Sequence, residues 1–146
     1  MAVGELLPKI FEGPIGPDAV VKDHIAAGAI DLWAPVILVA PGTGEDLARV
    51  NTVASANSVL CYGIVVGPIR ASGKAADAAG DKVNVCVFGP CKVKVNGALA
   101  VGALIATSAT AGKAGAATPA IGAVIGKLLA ASGADGDIVP CFVDAA

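Results

Sequence analysis

Residues Lys82 to Gly97 read KVNVCVFGPCKVKVNG, and the fold turns on how they are taken. Val83, Val85 and Val87 recur at every second position, so they share one face of an extended chain, while Asn84 and Cys86 share the other. In the second half the two lysines of KVKV point away from its two valines. Such alternation predicts half-buried antiparallel strands. Gly89-Pro90 separates the halves and predicts a hairpin or a sharp corner between them.

Downstream the chain divides into ALIAT, a turn at SATAGK, AVIGKLLAA, a turn at SGADGD and a closing strand IVPCFV. Upstream, PVILV (Pro35 to Val39) and LCYGIVVGPI (Leu60 to Ile69) are apolar runs bounded by Gly or Pro. Glycines are too dense for any long helix, and the pattern leaves room for at most a short one around Ala71 to Ala79 or within EDLARVNTV. The predicted class is mainly β: a small antiparallel β-barrel or β-sandwich with at most one or two short helices. There is also internal repetition. GIVVGPIRASGKAADAAGDKVNVCVFG resembles GAVIGKLLAASGADGDIVPCFVD, and Gly80-Asp81 matches Gly136-Asp137 at an offset of 136 − 80 = 56 residues. IAAGAIDLWAPVILV and ALAVGALIATSA match more loosely. Two related β-units in one sandwich or barrel are expected, since two copies are too few for a solenoid.

Residues 1–24 differ from the rest. Pro8, Pro14 and Pro17, with Gly4, Gly13 and Gly16, forbid a long helix or a central strand. Leu6, Leu7, Ile10, Phe11 and Ile15 need burial, which favours an extended arm lying on a neighbour over a solvated tail. The plainer alternative is an edge segment packed on its own domain. The chain thus divides into an arm, 1–24, and a β-rich body, 25–146.

The composition limits the classes of function. With 55% hydrophobic and 15% charged residues, the chain is not of the disordered type. Aromatics are only 3%, so the core must be built from Ala, Val, Ile and Leu. A mean hydropathy of +0.77 is high for a domain of this size, and part of the apolar surface is expected to lie against other subunits. A membrane span is not expected, because the longest uncharged run, Val50 to Ile69, carries Asn51, Thr52, Ser55, Asn57, Ser58 and Pro68. The N-terminal stretch lacks a basic region and is broken by Pro8 and Pro14, so it does not read as a signal peptide. A net charge of −2 gives no footprint for nucleic acid.

Catalytic chemistry has no foothold. His24 is the only histidine and reads as a surface or interface residue. The four cysteines, Cys61, Cys86, Cys91 and Cys141, lack CxxC spacing and lie far from His24, so they read as buried thiols and not as zinc ligands. GTG at Gly42 to Gly44 is followed by Glu45 and Asp46, which is no phosphate loop. Asp81 and Asp137 belong to tight turns. No catalytic residue, cofactor or metal site is expected. Trp33, the only tryptophan, is either a binding anchor or a packing residue at the start of the first core strand.

From Val95 to Val143 the sequence resembles the C-terminal part of head-decoration (cement) proteins of tailed viruses. The resemblance rests on Gly102 to Leu104, Ser108 to Ala114, Val124 to Leu129 and Gly136 to Val139, with ARVNTVASANSVLCYGIVVG similar to the middle portion. Pro140, Cys141 and Leu128 depart from the pattern. The resemblance implies a β-rich, non-enzymatic protein on the outer surface of an icosahedral virus head, assembled in the host cytoplasm. Its partners would be the major capsid protein, neighbouring decoration subunits and itself, often as a homotrimer at three-fold or quasi-three-fold sites. Arm residues Leu6, Leu7, Ile10, Phe11 and Ile15, with Trp33, are the expected partner-binding positions. A trimeric module of a fibre, tailspike or adhesin is the alternative.

Overall fold

The computed structural model describes residues 18–45, 48–118 and 123–144. Among them it contains strands and no helix: β1 (Val20–Ala26), β2 (Pro35–Val39), β3 (Arg49–Asn51), β4 (Cys61–Gly67), β5 (Lys82–Asn96), β6 (Leu104–Thr107), β7 (Ala114–Ala116), β8 (Gly126–Leu128) and β9 (Asp135–Asp144). The mainly-β class holds. The boundary expected at residue 24 falls inside β1, which pairs with β5. Ala71 to Ala79 is a chain of turns and bends, with Ala76 bridged to Ile30, because a helix there would forfeit those backbone bonds.

The strands form two closed rings. Ring one runs β1-β3-β2-β4-β5 and returns to β1. Ring two runs β5-β7-β6-β8-β9 and returns to β5. The first pairing in each, β1–β3 or β5–β7, is parallel and the rest are antiparallel. The barrel is therefore mixed and not purely antiparallel. Closure pairs the strands that an open sheet would leave as edges.

The two rings share β5, and here the hairpin expectation fails. Residues 82–96 form one continuous strand. Its first half pairs with β1 and β4, its second with β9 and β7. Gly89 allows this with φ +104, and a Cβ there would meet the backbone of Ala19. Pro90 does not end the strand, because its neighbours on both sides still bond to β9.

The repeat is structural as well as compositional. Ile64 pairs with Cys86 and Val65 with Val85 in ring one; Lys127 pairs with Phe142 and Leu128 with Cys141 in ring two. Val36 opposite Gly63 corresponds to Ile105 opposite Gly126. Gly63 thus answers to Gly126, and not to Gly122 as the likeness of GIVVG to GAVIG suggests. The reason is steric. A Cβ at Gly63 would strike the carbonyl of Cys86, and one at Gly126 the carbonyl of Phe142.

Each ring has its own apolar filling. Ring one encloses Ala26, Val36, Val50, Val65, Val83 and Val85. Ring two encloses Val93, Val95, Ile105, Ile125, Val139 and Val143. Side chains on the outward face of ring one, Ile64, Val66 and Cys86, belong to the ring-two cluster. The rings are therefore packed against each other and not merely strung together.

Candidate functional site

Of the expected partner-binding residues, Leu6, Leu7, Ile10, Phe11 and Ile15 lie outside the described residues. Trp33 lies at the junction of the rings, 9% exposed and packed in the ring-two cluster. Its N–H donates to the Val65 carbonyl at 2.8 Å, and its own carbonyl accepts from the Lys94 N–H at 3.0 Å. Its φ is +65, a conformation that Gly102 adopts at the matching place in ring two, where it donates to Leu128.

The other singled-out residues have structural surroundings. His24 is buried and not at the surface; Nδ1 donates to the Ala48 carbonyl at 3.1 Å. Asp81 Oδ2 accepts from the N–H groups of Asp77 and Ala78, and Asp137 Oδ2 from those of Gly133 and Ala134. Glu45 holds Arg49 at 2.7 Å, and that hydrogen bond keeps its carboxyl below the usual range. Cys86, Cys91 and Cys141 are buried and Cys61 half-buried, all as free thiols. Hydrogen bonding to Cys141 and Cys86, together with burial, pushes the Cys91 thiol far up.

What the geometry brings together is an apolar outer face on ring two that no single motif announced. Along β9, Val139, Cys141 and Val143 point inward while Ile138, Pro140 and Phe142 point out. Beside them lie Leu104 and Leu129, 37% and 50% exposed. Phe142 stacks edge-on against Phe88, with centroids 5.2 Å apart. Between β6, β8 and β9 opens a cleft of about 400 Å³ lined by Leu104, Val124, Gly126, Lys127, Leu129, Phe142 and Asp144. With one lysine and one aspartate at an otherwise apolar wall, it is equipped to bury surface. Among the described residues no group of three or more His, Cys, Asp or Glu is placed to hold a metal.

These features define a fold of two fused, five-stranded mixed β-rings with an apolar face on the second. No protein-family model matches the chain, and no curated protein is significantly similar to it. Among solved structures it is similar to the crystal structure of the head fiber gp8.5 N base of bacteriophage phi29. The TM-score is 0.56 at 14% identity, over 88% of this chain and 96% of that one. The likeness extends across both rings, and what it shows is the fold.

Proposed function

We propose that the chain is a non-enzymatic structural protein of a tailed-virus particle, a decoration protein that binds the outer surface of the icosahedral head and stabilises it. The observation that carries this reading is the end-to-end fold likeness to the base of a phage head fibre, joined to an exposed apolar face on ring two. A protein that binds the assembled shell and not free coat subunits favours the shell by mass action. Repetition over many sites adds avidity. The partners in this reading are the major capsid protein, neighbouring decoration subunits and two further copies in a homotrimer. The N-terminal arm read from the sequence lies in this reading on a neighbour through Leu6, Leu7, Ile10, Phe11 and Ile15.

A second reading is the base of a fibre or spike, which the likeness to the N base of a phage head fibre favours specifically. Gradient sedimentation of source particles, with quantitative mass spectrometry on each fraction, separates the two. Near-stoichiometric travel with a larger coat protein supports decoration, and a few copies per particle support a fibre base. A chain that stays at the top of the gradient overturns both. Deleting residues 1–20 is expected to leave a folded body that binds shells more weakly; undiminished binding would sink the arm.

A further inference from the structure

The repeat tells more than ancestry, because the two rings treat the same face differently. In ring one the outward side of β4 and β5 is covered. Ile64 and Cys86 are 0% exposed, Val66 is 8% exposed, and Pro35, opposite Ile64, is buried. Ring two is the cover. At this junction the Cys61 thiol donates to the Ala123 carbonyl at 3.3 Å, and the N–H of Ser58 donates to Thr107 Oγ1 at 2.9 Å.

Carrying the register across gives the matching positions in ring two. Ile64 corresponds to Lys127, Cys86 to Phe142, Val66 to Leu129 and Pro35 to Leu104. Those four residues line the cleft described above. The surface that ring one uses to dock on its successor is thus repeated on ring two, still largely apolar, with no successor among the described residues.

We infer that the cleft on ring two docks the leading edge of ring one from a second copy of this chain, head to tail. The edge that would enter is fixed by the same correspondence. Ala123, which covers ring one within the chain, stands three residues before Gly126. Leu60 stands three residues before Gly63 and is 54% exposed. Thr107 corresponds in the same way to Leu38, by the pairing of β2 with β3 and of β6 with β7. The contact is heterologous: two different patches meet, so each copy offers one and accepts one. Three copies closed in this way give the homotrimer of the proposed function. The docking itself rests on the repeat and not on the virion reading.

The test uses two substitutions at exposed positions, Leu129→Asp in the cleft and Leu60→Asp on the edge, with thermal unfolding to confirm that both variants fold. Sedimentation velocity and native mass spectrometry give the assembly state. The wild-type chain is expected to assemble, and each variant to be monomeric over at least about a tenfold wider concentration range, since a carboxylate would be desolvated in the contact. Mixing the two variants is expected to restore one intact contact and give a dimer that grows no further. A monomeric wild type, assembly that survives either substitution, or a mixture that stays monomeric would overturn the inference. So would dissociation by Leu129→Asp alone, which would mean that the face meets itself. None of these results bears on whether the protein travels with a particle.

Discussion

Tyr62 and His24 meet inside ring one where ring two places Ile125 and Val93. The Tyr62 hydroxyl lies 2.9 Å from His24 Nε2, and the rings are edge-on with centroids 4.9 Å apart. The Ala48 carbonyl can only accept, so it holds the proton on Nδ1 and leaves Nε2 as the acceptor of the tyrosine O–H. Removing the hydroxyl by Tyr62→Phe strands a buried acceptor, which is expected to cost about 1–3 kcal/mol in urea unfolding. Replacing both partners with ring two's residues, His24→Val with Tyr62→Ile, removes the Nε2 acceptor along with the hydroxyl and leaves the Ala48 carbonyl, which is half-buried, to water, so it is expected to cost less than Tyr62→Phe alone. A double variant worse than the single one would show that the pair is needed for more than mutual satisfaction.

Gly89 carries the passage of β5 from one ring to the other. Alanine there meets two obstacles at once, a φ of +104 and the Ala19 backbone. Gly89→Ala is expected to lose about 2–3 kcal/mol of stability. Chemical denaturation followed by intrinsic fluorescence of Trp33, which sits at the junction, measures it. A loss below about 0.5 kcal/mol, the ordinary scatter of surface changes, would mean the strand bends elsewhere.

These two sites also mark what could be read from the sequence. Valines at every second position gave the strand class directly, because alternation is what a half-buried pleat requires. Gly80-Asp81 and Gly136-Asp137 revealed the repeat, since both aspartates accept from the turn that precedes them. Gly89-Pro90 misled, because a strand bend and a hairpin ask for the same residues and differ only in where the next strand pairs. The register of GIVVG misled for a related reason: apolar composition is shared over several offsets, whereas the close approach at Gly63 and Gly126 picks one. The cleft itself was hidden by reading Leu104, Leu129 and Phe142 as ordinary strand content. Aligning the repeat by its glycines would have set them over Pro35, Val66 and Cys86, and an exposed residue over a buried one is a signal.

The thiols are expected to be inert in the folded protein. Cys91 and Cys141 face each other across β5 and β9 with sulfurs 3.7 Å apart, both buried. Attack on a thiol reagent needs the thiolate, which is disfavoured at Cys91 and, through burial, at Cys61; the hydrogen bond with Cys91 favours the Cys86 thiolate, and there it is complete burial that keeps the reagent out. Alkylation followed by peptide mapping should label Cys61 slowly and the other three only as the chain unfolds. Rapid native labelling of Cys91, or an intact mass short by two hydrogens without reductant, would contradict this arrangement.

Acid is expected to weaken the turn before β5. Backbone N–H groups of Asp77 and Ala78 hold the Asp81 carboxyl below its ordinary value of 3.8, with Arg70 3.7 Å away adding to the effect. A group whose folded pKa is depressed contributes stability that is present above its unfolded pKa and lost as pH falls through the folded one. The contribution is therefore complete above pH 3.8 and declines below it. Asp81→Asn keeps the shape and removes the titration, so its stability is expected to fall less steeply below that pH than the wild type's. Thermal unfolding midpoints of the two proteins, compared from neutral pH down into that range, decide the matter: parallel curves would mean that Asp81 does not feel its turn.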